Sequence, residues 1–232
     1  MEAGFLLLPE LTPSGAVPGA SRPGARWRNA AAGPTVHVRR FAPGGVLFGE
    51  GDTASEVHEL TQGAATISRR LPDGRRQIVD IVGPGRLFGF TTGDRHDCAA
   101  VALAATVVCS LDRRAAQRDP RICERVARAM TAEIDRLRNL ALLLGCKTAI
   151  ERVASFFIDL TGDDARSPRE ILLPVSRAEM ALYLGLTVET VCRNITLLKR
   201  SGLITADSRD AFTIVDRAAL RTIAQGKAPR AQ

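Results

Sequence analysis

Apolar residues between positions 36 and 112 occur in short, mostly alternating runs that are separated by turn residues. The runs cover residues 36–41, 46–48, 57–60, 64–71, 76–82 and 101–111. Residues 71–75 (Leu-Pro-Asp-Gly-Arg) are typical of a hairpin tip, because Asp-Gly tolerates the positive backbone angles of a tight turn. Closely spaced strands with Gly-rich turns predict an antiparallel β-roll in this part of the chain.

The hydrophobic period changes after residue 118, where apolar side chains recur every three or four positions. Asp119 and Pro120 supply an N-cap and a first-turn proline, and Gly145 is a candidate C-terminal stop, which predicts a helix of about 25 residues and ~37 Å. Such a helix is too long to be covered wholly by its own roll, so we expect it to pair with a second copy of the chain. The alternative is a helix that lies on its own domain. The predicted interface residues are Val126, Met130, Ile134, Leu137, Ala141 and Leu144.

Residues 176–200 have the pattern of two helices joined by a tight turn. Ser176 and Glu179 stand three positions apart, so that each side chain can cap a backbone amide of the other at the start of the first helix. Gly185 suits a sharp turn, and Thr187 is a second N-cap that opens the second helix. The pattern predicts a helix-turn-helix.

The second of these helices, predicted over residues 188–200, has an apolar and a polar face. The side chains predicted to face inward are Val191, Ile195 and Leu198. The opposite face carries Glu189, Cys192, Arg193 and Thr196. An arginine fork in a recognition helix pairs with guanine, and a glutamate accepts from the amino group of cytosine. We predict that Glu189, Cys192 and Arg193 read DNA bases, the alternative being a face that is merely solvated.

A second set of polar residues is predicted to contact DNA phosphates, which would position the module without reading sequence. Two of these residues lie at a helix N-terminus, where free backbone amides favour an anion. Residues 203–206 and 211–215 predict a two-stranded wing, whose connecting segment carries one further arginine. The predicted phosphate contacts are Arg177, Thr187, Thr190, Thr196 and Arg209.

Composition narrows the choice of partner and compartment. The 232 residues carry a formal charge of +7, which favours an anionic partner but does not separate nucleic acid from lipid headgroups or acidic proteins. No apolar run approaches the ~18 residues of a membrane span, and no export signal is evident, so we expect a cytoplasmic protein without a membrane partner. Five cysteines at irregular spacing favour a reduced protein without a metal cluster.

The chain is therefore predicted to be an α+β protein and not an enzyme, since no nucleophile stands beside a His and acid pair and no catalytic or metal site is recognised. The predicted segments are a flexible leader (1–34), a sensor-like β-roll (35–116), a dimerisation helix (117–146), a winged helix-turn-helix (147–226) and a tail (227–232).

Three motifs in combination carry a family resemblance. They are residues 41–52 (F-x-x-G-x-x-L-F-x-E-G-D), 84–89 (P-G-x-x-F-G) and 189–193 (E-T-V-C-R). Over residues 36–224 the chain resembles the superfamily of the cyclic AMP receptor protein and Fnr, which are bacterial transcription regulators. The resemblance implies a homodimer with a cyclic-nucleotide-binding-like roll that binds double-stranded DNA and contacts RNA polymerase.

The sensing chemistry differs between subgroups of that superfamily. The cyclic nucleotide subgroup has a Gly-Glu-Leu stretch for ribose and an Arg-Ser pair for phosphate, but this chain has Gly-Phe-Thr at 89–91 and His-Asp at 96–97. Phenylalanine cannot bond a ribose hydroxyl and Asp97 would repel a phosphate, so cyclic AMP is not expected. The Fnr cluster needs N-terminal cysteines, and none precedes Cys98. The chain therefore looks like the FixK subgroup, which has neither cluster nor nucleotide, and no cofactor is expected.

Other regulators of the same fold remain open on the sequence alone. One is a small-molecule-responsive or haem-responsive regulator, and another is a repressor instead of an activator. The candidate haem ligands are His37, His58, His96 and Cys98.

The recognition pattern Glu-x-x-Ser-Arg of Fnr and FixK proteins has Cys192 in place of serine here. The likeness implies that Glu189 and Arg193 read an inverted repeat near TTGAT-N4-ATCAA and that the protein activates microaerobic and respiratory genes. Oxidation of a thiol at this position would set negative charge and bulk against DNA. We hypothesise that oxidation of Cys192 abolishes operator binding, the alternative being a cysteine that merely tolerates its place.

Overall fold

The computed structural model describes residues 36–161, 169–172, 175–206 and 211–227. The predicted leader (1–34) and all but the first residue of the predicted tail lie outside these ranges. The described chain forms two compact units, residues 36–135 and 136–227. The boundary between them falls within the long helix, which the sequence prediction had treated as a segment of its own.

The first unit contains two antiparallel sheets, and this bears out the predicted β-roll. Its described strands are β1 (Val36–Phe41), β2 (Val46–Phe48), β3 (Glu56–Gln62), β4 (Ala65–Arg70), β5 (Arg76–Val82), β6 (Leu87–Phe88), β7 (Ala99–Ala102) and β8 (Thr106–Asp112). The sheets have the strand orders β1-β8-β3-β6 and β2-β7-β4-β5. Their main core includes Phe48, Leu60, Val82, Phe88 and Val108.

The predicted single strand over 101–111 is wrong, because the chain turns between β7 and β8 and the two strands belong to different sheets. This turn contains no Gly or Pro. The hydroxyl of Thr106 holds it by donating to the carbonyls of Ala104 (2.8 Å) and Ala64 (3.0 Å). The turn therefore depends on a contact with a distant segment, which a local pattern does not reveal.

Two helices follow the roll, α1 (Arg113–Arg118) and α2 (Pro120–Cys146). Asp119 accepts a hydrogen bond from the Arg121 amide (2.9 Å), as an N-cap does. The first turns of α2 pack on the roll through buried Ile122. The predicted stop at Gly145 is wrong by one residue, because Gly145 is helical and lacks the left-handed conformation that makes glycine a terminator.

The second unit carries the predicted helix-turn-helix and its wing. After the last turns of α2 come α3 (Ala149–Thr161), β9 (Arg169–Leu172), α4 (Arg177–Leu184), α5 (Val188–Arg200), β10 (Ile204–Ala206), β11 (Ala211–Ile214) and α6 (Arg217–Ala224). The wing sheet has the order β10-β11-β9, so a third strand joins the two that were predicted. Phe157 of α3 and Phe212 of β11 pack together in the core of the second unit, with ring centroids 5.1 Å apart. Among the described helices, none combines the length and the apolar character that crossing a membrane requires.

Two histidines are buried inside the roll. The His58 side chain lies with its Nδ1 2.8 Å from Ser110 Oγ, and the residue is only 4% exposed. His96 stacks on Phe48 with ring centroids 3.8 Å apart. Burial, helped by the nearby charge of Arg39, lowers the pKa of His58 from 6.5 to about 3, and burial also lowers the pKa of His96.

We predict that His58 makes the roll acid-sensitive. The folded protein keeps His58 neutral, whereas the unfolded chain binds a proton below pH 6.5. The contribution of neutral His58 to the unfolding free energy is therefore fully present above that pH. It is lost at about 1.4 kcal/mol per pH unit as the pH falls towards the pKa of His58 in the folded protein. In His58→Gln, the fall of the unfolding free energy between pH 5.5 and 4.5 should be shallower by about 1.4 kcal/mol per pH unit, as measured by urea unfolding. Exposed His37→Gln is the control, and equal slopes in the parent and in both variants would contradict the prediction.

Candidate nucleic-acid interface

The first helix of the helix-turn-helix begins with a complete capping box. The Ser176 hydroxyl accepts from the Glu179 amide (3.2 Å), and the Glu179 carboxylate accepts from the Ser176 amide (2.8 Å). The helix ends at Gly185, whose backbone is left-handed (φ 62°) and whose amide donates to the carbonyl of Ala181. Both features were predicted, because they depend on residues within four positions of each other.

The recognition helix α5 has the predicted bounds and the predicted orientation. Its N-cap Thr187 accepts from the Thr190 amide (3.2 Å). The predicted inward side chains Val191, Ile195 and Leu198 are all buried. The sequence did not reveal that Asn194 is also buried, where its side chain donates to the Thr190 carbonyl (2.8 Å).

The outward face of α5 is an exposed polar strip. Its members are Glu189, Cys192, Arg193 and Thr196, all exposed. The seven helical steps from Glu189 to Thr196, at about 1.5 Å each, make the strip roughly 10 Å long, which is comparable with the ~12 Å width of the DNA major groove. The structure therefore brings the three predicted base readers together on one face.

Glu189 is held as an ionised acceptor. Its carboxylate is fully exposed, and hydrogen bonds from its own backbone amide and from the Thr187 side chain lower its pKa. Thr196 donates its hydroxyl hydrogen to the Cys192 carbonyl (2.9 Å), so only its oxygen lone pairs face outward. Cys192 and Arg193 lie on the strip between Glu189 and Thr196.

The predicted phosphate contacts lie in different environments. Thr187 is exposed and Thr190 half-buried at the N-terminus of α5. The Arg177 guanidinium lies over the Phe212 ring, 4.5 Å from its centroid, so this side chain is already packed within the unit. Its contact with phosphate stays a prediction, and Arg209 lies outside the described residues.

All five cysteines are free thiols in the structure. Cys192 is exposed on the strip, and Cys123 and Cys146 are exposed on α2. Burial foremost, together with the nearby charge of Asp97, raises the pKa of Cys98 to about 12. The thiol of the strip is therefore one of three exposed thiols, whereas Cys98 is half-buried and Cys109 is buried.

The candidate haem ligands do not form a common site. His37 is exposed on β1, whereas His58 and His96 are buried beside Phe48. A Cβ on Gly89 would come within 2.7 Å of His58 Cδ2, so the chain and the imidazole are closely packed here. Within the part of the chain that the structure describes, no three His, Cys, Asp or Glu side chains are grouped to hold a metal ion.

A mainly apolar cavity of about 270 Å³ lies in the first unit, between the roll and the first turns of α2. Phe90 and Val57 line its roll side, and Val126 and Met130 line its α2 side. Its volume is slightly below the ~300 to 1,000 Å³ of sites for drug-sized ligands.

A β-roll, a long helix and a winged helix-turn-helix with an exposed polar recognition face define a class of DNA-binding transcription regulators. Residues 38–118 match the cyclic nucleotide-binding domain, and residues 151–223 match the Crp-like helix-turn-helix domain. The nitrogen fixation regulation protein FixK of Rhizobium meliloti (strain 1021) is 37% identical over 82% of this chain and 88% of that protein. The chain belongs to the Crp/Fnr family, and it is a DNA-binding transcription regulator of the FixK-like type and not an enzyme.

Two further comparisons agree with this membership. The transcriptional activator protein FnrL of Cereibacter sphaeroides (strain ATCC 17023) is 31% identical, covering 79% of this chain and 79% of that protein. The structure of FixK2 from Bradyrhizobium japonicum superposes with a TM-score of 0.76 at 29% identity, covering 85% of this chain and 100% of that one.

Proposed function

We propose that this chain is a cytoplasmic, homodimeric activator of microaerobic and respiratory genes that reads an inverted repeat near TTGAT-N4-ATCAA and contacts RNA polymerase when bound there. The observation that carries the proposal is the exposed strip of α5, on which an ionised acceptor and a guanidinium fork stand four residues apart. The relatives support the activator role, since they include proteins named for regulation of nitrogen fixation and for transcriptional activation.

Base reading is supported by the match between the strip and the half-site. TTGAT contains one G·C pair, which offers guanine O6 and N7 as acceptors and the cytosine amino group as a donor. The fork of Arg193 suits the guanine, and the carboxylate of Glu189 suits the cytosine. Cys192 lies beside them, where its sulfur can pack against a thymine methyl group.

Dimerisation is supported by an apolar stripe on α2 that the described part of the chain leaves largely exposed. Met130, Ile134 and Leu137 are 45%, 48% and 44% exposed, and Ala141 is exposed one step further along. Their spacing of four, three and four residues is that of a coiled-coil seam. Val126 and Leu144, at the two ends of the predicted interface, are half-buried within the chain itself. A two-fold dimer through this seam would match the symmetry of an inverted repeat.

Binding without cyclic AMP is supported by the side chains at the positions where the family holds the nucleotide. Phe90 replaces the glutamate that binds ribose. Asp97 stands at the position of the phosphate-binding pair, and its carboxylate lies 3.7 Å from the Arg69 guanidinium, which is therefore paired with Asp97. The second candidate is a regulator that needs a small apolar effector, which the cavity beside Val126 favours. The two candidates differ in whether the purified, ligand-free protein binds its operator.

We predict that Arg193→Ala weakens binding to the TTGAT repeat by about 1 to 3 kcal/mol and relaxes the choice at one base pair in each half-site. A gel-shift titration at fixed salt, on the repeat and on repeats with the G·C pair replaced, measures both effects. Arg200→Ala, at the far end of the same helix, is the control and should lose no selectivity. An equal loss on every sequence would refute base reading by Arg193, and failure of the parent to bind without an added ligand would favour the effector-dependent regulator.

We predict that the hydroxyl variant Cys192→Ser keeps binding the operator after peroxide treatment, whereas the parent loses it. Oxidation to sulfenic or sulfinic acid would place bulk and negative charge between the strip and the duplex, and the hydroxyl does not undergo this oxidation. Cys123→Ser and Cys146→Ser remove the other exposed thiols and should respond as the parent does. Equal loss in the parent and in Cys192→Ser would exclude the thiol switch, and recovery with dithiothreitol would identify the reversible form.

We predict that Leu137→Glu converts the dimer into monomers, because two carboxylates would be buried in the seam. The dimer dissociation constant should rise by about 100-fold or more, and binding to the full repeat should fall with it. Ala132→Glu adds the same charge on the opposite, exposed side of α2 and should leave the dimer intact. Sedimentation equilibrium measures the mass, and an unchanged dimer in Leu137→Glu would show that the seam is elsewhere.

A further inference from the structure

One arginine joins the end of the long helix to the turn of the helix-turn-helix. Arg152 lies near the start of α3 and is half-buried. Its guanidinium donates four hydrogen bonds, from Nε to Lys147 O (2.9 Å), from Nη1 to Leu184 O (3.0 Å) and Gly185 O (3.5 Å), and from Nη2 to Leu144 O (2.7 Å).

Two of these acceptors, the carbonyls of Leu144 and Leu184, are ones that the helices cannot satisfy by themselves. The last four carbonyls of any α-helix lack an amide partner four residues on, and they form the negative end of the helix dipole. Leu144 is in the last turn of α2, and Leu184 is the last residue of α4. One planar cation therefore binds the ends of both helices at once, which its fixed fork allows and a lysine ammonium on a flexible stem does not.

Side-chain packing brings the same two elements together. A Cβ on Gly185 would come within 3.2 Å of Leu144 Cδ2 and 3.5 Å of Arg152 Nη1. The turn that precedes α5 thus rests directly on the last turn of α2. Leu144 is also the last residue of the predicted dimer seam, so seam and turn meet at one side chain.

We propose that Arg152 is a positioning residue that fixes the orientation of the helix-turn-helix on the end of α2, and thereby sets the half-site spacing that the dimer accepts. The inference rests on the proposed function, because it needs a dimer that reads an inverted repeat. Arg152 belongs to α3 and is no part of the exposed strip of α5. Its loss should therefore change where the two strips stand relative to each other and leave the reading of one half-site intact.

Spacing is a sensitive readout of that geometry. Each base pair added between the half-sites moves them apart by about 3.4 Å and rotates them by about 35°. A rigid dimer accepts one spacing, whereas a dimer with loosely held recognition helices tolerates several.

The test measures the affinities of the parent, Arg152→Lys and Arg152→Met for duplexes with three, four, five or six base pairs between half-sites, and for a duplex with a single half-site. The parent should prefer its best spacing over the next by about tenfold or more, and both variants by about threefold or less. Affinity for the single half-site should stay within about threefold in all proteins. Arg221→Lys, an exposed arginine on α6, is the matched control and should keep the parent's preference. Thermal melting checks that each variant is folded at the assay temperature.

Three outcomes would overturn the inference. If Arg152→Met, which removes every donor, keeps the parent's spacing preference, the four hydrogen bonds do not set the geometry. If both lose the single half-site as well, Arg152 merely maintains the fold of the module. If Arg152→Lys matches the parent, the guanidinium fork is not the device. A parent that binds no repeat, or binds every spacing equally, would instead refute the proposed function on which the inference rests.

Discussion

The burial of three apolar side chains on α5 is the constraint on which the functional surface depends. Val191, Ile195 and Leu198 each gain roughly 1.5 to 3 kcal/mol from burial, and only one rotation of the helix buries all three. Turning α5 by one residue, about 100°, would expose them and drive Cys192 or Arg193 inward, where an unpaired guanidinium costs more than the apolar groups contribute. The strip is therefore oriented before any DNA is present, and binding need not supply the energy to order it.

The elements that could be predicted from the sequence are those held by near neighbours. The capping box at Ser176, the left-handed Gly185 and the N-cap Thr187 each act within four residues, so the recognition helix was predicted with its bounds and its faces. The turn between β7 and β8 was not predicted, because Thr106 holds it through a carbonyl some forty residues away in the chain. The short β6 and the third wing strand β9 also depend on partners distant in sequence. A window of hydrophobic pattern carries no information about such contacts.

The candidate site also contains residues that could be predicted from local pattern and residues that could not. Glu189, Cys192 and Arg193 were predicted because exposure on one face follows from helical period alone. Arg152 gave no signal, because its four acceptors are backbone carbonyls, which every sequence possesses. The burial of His58 was equally invisible, since it follows from the closeness of Gly89 and from a hydrogen bond across the sheet. Local rules therefore identify which groups lie exposed on the outward face of α5, and tertiary contacts decide how the helices that carry them are held.

Function on a shared scaffold is set by the side chains at its site, and the roll is one such scaffold, since residues 38–118 match a cyclic nucleotide-binding domain. At the positions that the family resemblance assigns to ribose and phosphate, Phe90 offers no carboxylate and Asp97 offers no cation. Phe48 stacks with His58 and His96 in the interior, where Nδ1 of His58 lies within hydrogen-bonding distance of Ser110 Oγ and Nδ1 of His96 is buried without a hydrogen-bond partner among the described residues. Under the proposed function, the exposed thiol of Cys192 on the strip of α5 is a position where a single chemical change would act on DNA contact directly.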